Sequence, residues 1–171
     1  MALSNLIMMS MHIHILTTGG TIDKVYFDAK SDYQIGSPVI ERLLNEMNVS
    51  FDYSIQSLMR VDSLDMTDEH RQTLADAIQA LPAGAKVLVT HGTDTMALSA
   101  TYLGALQDKT VVFTGALQPA AFRDSDAIFN IGCALGALQA ASPGAYVAMN
   151  GRLFEAGAVV KNLDANRFEP L

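Results

Sequence analysis

Short apolar runs alternate with amphipathic stretches along most of this chain. The apolar runs predict strands over residues 12–17, 51–58, 86–90, 110–114 and 145–149. Apolar positions at helical spacing predict helices over residues 37–47, 68–81, from about residue 94, and 126–140. Strands that alternate with helices in this way favour a parallel sheet with helices on both of its faces.

Capping residues indicate where these helices begin and end. Ser37 is the expected N-cap of the first helix, with Pro38 at its first helical position. Thr67 is expected to cap the second helix, which residues 82–84 terminate with a proline and a glycine. The dipeptide at residues 143–144 is expected to end the last helix in the same way.

Three other segments lack a helical pattern. Residues 18–36 and 115–125 are expected to form loops. Residues 152–161 are expected to form a short hairpin around a turn at residues 155–157. Because we find no internal repeat and no linker, we expect one domain over residues 11–171, with residues 1–10 as a loosely held arm or an upstream start.

Composition narrows the class of protein and of partner. Half of the 171 residues are hydrophobic and 17% are charged, which is typical of a globular domain. The net charge of -7 argues against nucleic acid or an anionic membrane as the main partner. One cysteine and no basic residue in the first ten positions favour the cytoplasm, and no apolar run is long enough to span a bilayer.

Two threonine-rich turns directly follow predicted strands. The first spans residues 17–21 and the second spans residues 90–95. The carboxyl ends of parallel strands meet at one edge of a sheet, so we expect both turns to line one crevice. Gly19 and Gly20 allow a sharp turn and a close approach to a ligand, with Thr21 at the tip.

Each turn on its own also has an explanation without catalysis. The first turn can be an ordinary strand-to-loop turn, since it lacks the spacing of a dinucleotide or phosphate-binding loop. Asp94 can simply cap a helix, or it can orient Thr93 as a nucleophile or proton relay. Lys161 ends an apolar run, where it can be a buried neutral base or a solvated strand end.

Candidate metal ligands are few. His12 and His14 share one face of a predicted strand, but no further ligand follows at a metal-binding spacing. The acidic positions within residues 62–69 are better explained as the solvated start of a helix. The sequence therefore predicts no metal site.

Together the two turns resemble the paired signatures of the bacterial-type L-asparaginase/glutaminase family. The matching segments are Ile15-Leu16-Thr17-Thr18-Gly19-Gly20-Thr21-Ile22 and Thr90-His91-Gly92-Thr93-Asp94-Thr95-Met96. Further segments resemble the family in the same order: 30–33, like its mobile lid, then 61–66, 114–119, 149–150 and Lys161. The resemblance covers almost the whole chain from Met11.

This resemblance implies a fold and a reaction. The fold is a flavodoxin-like α/β three-layer sandwich with a mostly parallel sheet, equivalent to the family's N-terminal domain. The reaction is hydrolysis of a side-chain carboxamide to a carboxylate and ammonia, with a small-molecule amide as substrate and no metal or cofactor. A homo-oligomer is also implied, because a neighbouring subunit completes the substrate site in that family.

The resemblance assigns roles to individual residues. Thr21 is the nucleophile, and Tyr33 on the lid takes or orients its proton. A second group activates water or relays protons, and it consists of Thr93, Asp94 and Lys161. The positions that hold the substrate are Gly20, Ser63, Leu64, Gly92 and Ala116. Leu64 stands where the family usually places a polar residue.

Two other functions remain open from the sequence. The chain can be a module that binds asparagine or aspartate without turnover. It can also be the catalytic half of a hetero-complex, by analogy with amidotransferase subunits that share this domain.

Overall fold

A computed structural model describes residues 11–27 and 32–171. The strands are β1 (His12–Thr17), β2 (Lys24–Phe27), β3 (Asp32–Ile35), β4 (Asp52–Ser57), β5 (Lys86–Thr90), β6 (Thr110–Thr114), β7 (Gly144–Met149), β8 (Arg152–Glu155), β9 (Val159–Asn162) and β10 (Arg167–Pro170). The α-helices are α1 (Ile40–Glu46), α2 (Asp68–Gln79), α3 (Met96–Tyr102) and α4 (Ala127–Ala140). The predicted arm over residues 1–10 lies outside the described residues.

A central six-stranded sheet organises the molecule, in the order β4-β1-β5-β6-β7-β8. The first five strands in this order run parallel, and β8 pairs antiparallel with β7. Side chains alternate across the sheet, so Ile13 and Ile15 join the core beneath α1 and α4, whereas Leu16 joins the core beneath α2. The predicted α/β fold with a mostly parallel sheet is confirmed.

The five predicted strands of the parallel sheet are all present, with ends that differ by at most one residue from the prediction. Helix α4 begins and ends within one residue of the prediction, and Thr67 caps α2 as expected by accepting a hydrogen bond from the His70 N–H at 3.4 Å. Within the described residues, no helix has the length and apolar character needed to cross a membrane.

Helix α1 starts later than its sequence signals indicate. Its N-cap is Val39, which makes no side-chain cap, so the predicted start at Ser37 and Pro38 was wrong. The Val39 N–H instead donates to Asp23 Oδ1 at 2.9 Å. A carboxylate from a distant turn thus satisfies the helix terminus, which no local sequence rule detects.

Two predictions about loops and hairpins were also wrong. The predicted loop over residues 18–36 contains a 3₁₀ turn (Thr21–Asp23) and the β2–β3 hairpin. The predicted hairpin within residues 152–161 does not form, since β8 pairs with β7 and β9 pairs with β10. The connection from β7 to β8 uses Asn150 and Gly151, both at positive φ, which is the usual turn of a two-residue hairpin.

Candidate active site

The two threonine-rich turns touch through their glycines. A methyl group built on Gly20 would lie 2.4 Å from both the Cα and the N of Gly92. A methyl group on Gly92 would in turn lie 2.5 Å from the Ser63 Cβ. Thr21 and Thr93 directly follow the two glycines, so their Cα atoms lie within about 12 Å of each other, since successive Cα atoms are about 3.8 Å apart.

The threonines of the first turn have different environments. Thr17 and Thr18 are fully buried, and the Thr18 hydroxyl donates to the Thr90 carbonyl at 3.0 Å. The Thr17 Oγ1 is buried without a hydrogen-bond partner in the described residues. Thr21 is only half-buried, at the start of the 3₁₀ turn. Among these three hydroxyls, that of Thr21 is the one that solvent or a ligand can reach.

The second turn meets a lysine from the far end of the chain. Lys161 Nζ donates to Thr93 Oγ1 at 2.8 Å and to Asp94 Oδ1 at 2.6 Å. The Lys161 side chain is 13% exposed and that of Asp94 is 35% exposed. The N-cap of α3 is Thr95, so Asp94 is not the helix cap that its position also allowed. The structure therefore brings together three of the five predicted catalytic residues.

His91 lies in this turn but is fully buried. Its Nδ1 lies 2.7 Å from the Gly92 carbonyl, which can only accept, so Nδ1 carries the proton. Its Nε2 then accepts from the Ser99 hydroxyl at 2.8 Å, and Ser99 accepts from Arg71 Nε at 3.2 Å. Burial lowers the pKa of His91 to about 4, so the ring is neutral and supports the turn rather than exchanging protons with a ligand.

The predicted substrate-binding residue Ser63 belongs to the short turn that lies against Gly92. Its hydroxyl accepts from the Asp94 N–H at 3.2 Å, and its carbonyl accepts from the Thr95 hydroxyl at 2.8 Å. Leu64 is 74% exposed at the tip of this turn. Ser63 therefore holds the second turn in place, while Leu64 offers an apolar surface.

A cavity of about 610 Å³ lies beside this turn, lined in part by Lys24, Arg60 and Leu64. Lys24 and Asp62 both line it, and they form an ion pair at 2.7 Å. The hydrogen bond from Lys24 lowers the pKa of the Asp62 carboxyl, so this carboxylate is charged and already paired at neutral pH.

The turn after β6 is held by the start of helix α4. Asp126 accepts the Leu117 N–H through both carboxylate oxygens at 3.0 Å. Asn130 donates to the Gly115 carbonyl at 3.1 Å and accepts the Asn150 N–H at 3.2 Å. These contacts fix the backbone beside Ala116, another predicted substrate contact, which is only 1% exposed.

Tyr33 is the predicted catalytic residue on the lid. Its backbone lies on β3 opposite Tyr26 of β2, and its side chain lies outside the described part of the structure. Residues 30 and 31 of the predicted lid lie outside it as well. Over the described residues, no group of three or more His, Cys, Asp or Glu side chains is placed to hold a metal ion.

Sequence reasoning missed several residues that shape this site. Arg71, Ser99 and Asn130 support its turns from within the protein, and Asp23 joins the first turn to α1. The sequence gives no local signal for most of these residues, because their partners are distant along the chain. The exception is Asn130, which lies one helical turn after Asp126 and so on the same face of α4.

Comparison with known proteins places these features in a wider group. Residues 12–170 match the family described as "Asparaginase, N-terminal". The chain is 32% identical over 160 residues to the Haemophilus influenzae protein named "Probable L-asparaginase periplasmic", covering 88% of this chain and 46% of that protein. It is 33% identical over 144 residues to a subunit of the glutamyl-tRNA(Gln) amidotransferase from Haloquadratum walsbyi, covering 81% of this chain and 33% of that protein.

A solved structure gives the same picture. The crystal structure of L-asparaginase I from Vibrio cholerae superposes with a TM-score of 0.79 at 30% identity, covering 94% of this chain and 51% of that one. The chain thus spans about half the length of the proteins that it matches, or less.

Proposed function

The chain belongs to the asparaginase family, and from that premise we propose that it hydrolyses the side-chain amide of L-asparagine or a related small amide to a carboxylate and ammonia. The observation that carries the proposal is the contact of Lys161 with both Thr93 and Asp94, directly beside the turn that presents Thr21. A hydroxyl nucleophile together with groups that activate it is what covalent amide hydrolysis requires, and this set of two hydroxyls, a carboxylate and an amine can supply both.

In the first step, Thr21 Oγ attacks the amide carbon of the substrate and its proton passes to a base, a role proposed for Tyr33. The amide oxygen becomes negatively charged in the tetrahedral intermediate. Backbone N–H groups near Gly20 and Thr93 are the proposed donors that stabilise that charge. The same base passes this proton to the amide nitrogen as the C–N bond breaks, so the nitrogen leaves as ammonia and an ester remains on Thr21.

In the second step, water attacks the ester and restores the Thr21 hydroxyl. The proposed role of Thr93 is to orient this water and relay its proton. Lys161 donates to Thr93 Oγ1 at 2.8 Å, so its charge stabilises any negative charge that develops on this oxygen. Asp94 balances the lysine charge at 2.6 Å and keeps the amine beside Thr93.

Substrate binding is proposed for Gly20, Ser63, Leu64, Gly92 and Ala116. Gly20 and Gly92 lie in contact, and Ser63 packs on Gly92, so three of these five positions form one contiguous cluster. The cytoplasmic location stays a prediction, since the name of the Haemophilus relative places that protein in the periplasm.

The test is ammonia release from L-asparagine, L-glutamine and D-asparagine by the wild type and by Thr21→Ala. Thr18→Ala is the matched control, because the Thr18 hydroxyl is buried and bonded to the Thr90 carbonyl. We expect activity that Thr21→Ala abolishes and Thr18→Ala retains in whatever fraction stays folded. Ligand-induced stabilisation by aspartate without any ammonia release would instead favour the binding module.

A second candidate is the catalytic half of a hetero-complex. It is favoured by the 33% identity with the Haloquadratum amidotransferase protein over 81% of this chain. Purification of the tagged chain from its native lysate would test this candidate. A stoichiometric second protein would support the hetero-complex, and elution as the chain alone would contradict it.

A further inference from the structure

Asp23 connects three parts of the molecule. It ends the 3₁₀ turn that starts at Thr21, and its N–H donates to the Gly20 carbonyl at 3.1 Å. Its own carbonyl accepts from the Gly36 N–H at 2.8 Å, directly after β3. Its Oδ1 accepts from the Val39 N–H at 2.9 Å, at the start of α1. One residue therefore joins the first turn, both ends of the β2–β3 hairpin and a helix of the core.

The carboxyl that makes this junction is buried. Asp23 is 2% exposed, and its Oδ2 is buried without a hydrogen-bond partner in the described residues. Burial raises the pKa of this carboxyl to about 6, against opposing contributions from the Val39 N–H and from Arg60. The protonated form therefore predominates in mildly acidic solution, and the ionised form predominates above neutrality.

Few charges are available to compensate the ionised form. Arg60 attracts it from the segment after β4. Lys24, the next residue, is paired with Asp62 at 2.7 Å. On the adjoining helix α1, Glu41 and Arg42 are exposed to solvent. A carboxylate at this position thus lacks the full set of donors that a buried charge requires.

We propose that Asp23 is a positioning residue. Its neutral carboxyl keeps helix α1, the β2–β3 hairpin and the turn that carries Thr21 together at one junction, and its ionisation opens this junction. The proposal rests on the proposed function in one respect only, which is that Thr21 and Tyr33 of the hairpin act on the substrate.

The direction of the switch follows from the cost of burying a charge. In both states Oδ1 can accept from the Val39 N–H, but the ionised form also buries a charge, and this costs much more than burying the neutral carboxyl. Letting water into the junction lowers this cost, and it weakens the bonds to Gly36 and Val39. The open state exposes the carboxyl and returns its pKa towards the ordinary value of 3.8.

Hydrogen exchange of the Gly36 and Val39 amides, followed by NMR, tests this inference. After correction for the intrinsic pH dependence of exchange, we expect the opening constant of both amides to rise about 10-fold between pH 5 and pH 8. Asp23→Asn keeps an acceptor for the Val39 N–H and cannot ionise, so its opening constant should not change. Asp76→Asn removes an exposed carboxyl from α2 and should keep the wild-type rise.

Activity supplies a second measurement. The ratio of kcat/KM for L-asparagine between Asp23→Asn and wild type should rise up to about 10-fold from pH 5 to pH 8. If the opening constant of these two amides in the wild type does not change between pH 5 and pH 8, the proposal is overturned, whether or not the variant folds. It is also overturned if the opening constant of Asp23→Asn rises as much as that of the wild type. Absence of ammonia release in every variant refutes the proposed function but leaves the exchange result to decide the role of Asp23.

Discussion

Replacing Gly20 with alanine perturbs the point where the two threonine-rich turns meet. Gly20 has φ 92° and ψ -173°, a region that residues with a side chain almost never occupy. The added methyl group would lie 2.4 Å from two backbone atoms of Gly92, and a backbone cannot rotate aside as a flexible side chain can. The first turn must therefore move or change its conformation.

The cost can be worked from these two effects. Backbone strain of this kind costs about 1–3 kcal/mol, and overpacking of a close contact typically costs about 1–3 kcal/mol more. We expect Gly20→Ala to lower the free energy of unfolding by about 2–6 kcal/mol, a large share of the total stability of a domain. The displaced turn should also misplace Thr21, so any protein that still folds should be inactive.

Urea denaturation followed by far-UV circular dichroism measures this cost. Gly132→Ala is the matched control, since Gly132 lies on the exposed face of α4 with no atom within 4 Å of an added methyl group. The free energy of unfolding of this variant should be about 0.5–1 kcal/mol higher than that of the wild type, because alanine favours a helix more than glycine does. If Gly20→Ala unfolds within about 0.5 kcal/mol of wild type with the same slope, the close approach of the two turns is refuted.

Three further predictions concern charge and specificity. Burial raises the pKa of Asp23 from 3.8 to about 6, so the contribution of its neutral carboxyl to stability is complete below pH 4 and is lost as the pH rises through 6. Relative to wild type, the free energy of unfolding of Asp23→Asn in urea should therefore be about 3 kcal/mol higher at pH 8 than at pH 4. An equal difference at both pH values would contradict this. Lys161→Met should lower kcat for ammonia release by about 10²–10⁴-fold, whereas the control variant Lys86→Met should not. Equal values of kcat in the two variants would show that Lys161 has no part in the mechanism. Leu64→Gln should lower KM for L-asparagine about 10-fold through one added hydrogen bond, whereas an unchanged KM would place residue 64 away from the substrate.

The parallel sheet was predictable because β5, β6 and β7 are nearly continuous apolar runs, and because β1 and β5 end in turns. The latter two strands placed both threonine-rich turns at one edge of the sheet. Contact between Lys161 and the second turn did not follow from any local pattern, because Lys161 lies 67 positions beyond Asp94 along the chain. The expectation that these residues act together came from the family resemblance, and their roles stay a prediction. The structure shows that Lys161 donates to both Thr93 and Asp94.

The errors have identifiable physical causes. Ser37 and Pro38 are good local signals for a helix start, but Asp23 supplies the hydrogen bond that fixes the start of α1. A distant partner of this kind is invisible to rules that use neighbouring residues only. The β7–β8 hairpin was missed for another reason. The dipeptide Asn150-Gly151 is a strong local signal for a hairpin, so the sequence alone was sufficient to predict it.

The central position of β1 has a consequence for how this protein is made. Strand β1 is the first sheet strand to leave the ribosome, yet it pairs with β4 on one side and β5 on the other. The Thr18 N–H and hydroxyl both donate to the Thr90 carbonyl at the end of β5. These two hydrogen bonds can form only after β5 has been synthesised, so the first turn reaches its final geometry well after its own residues have been made.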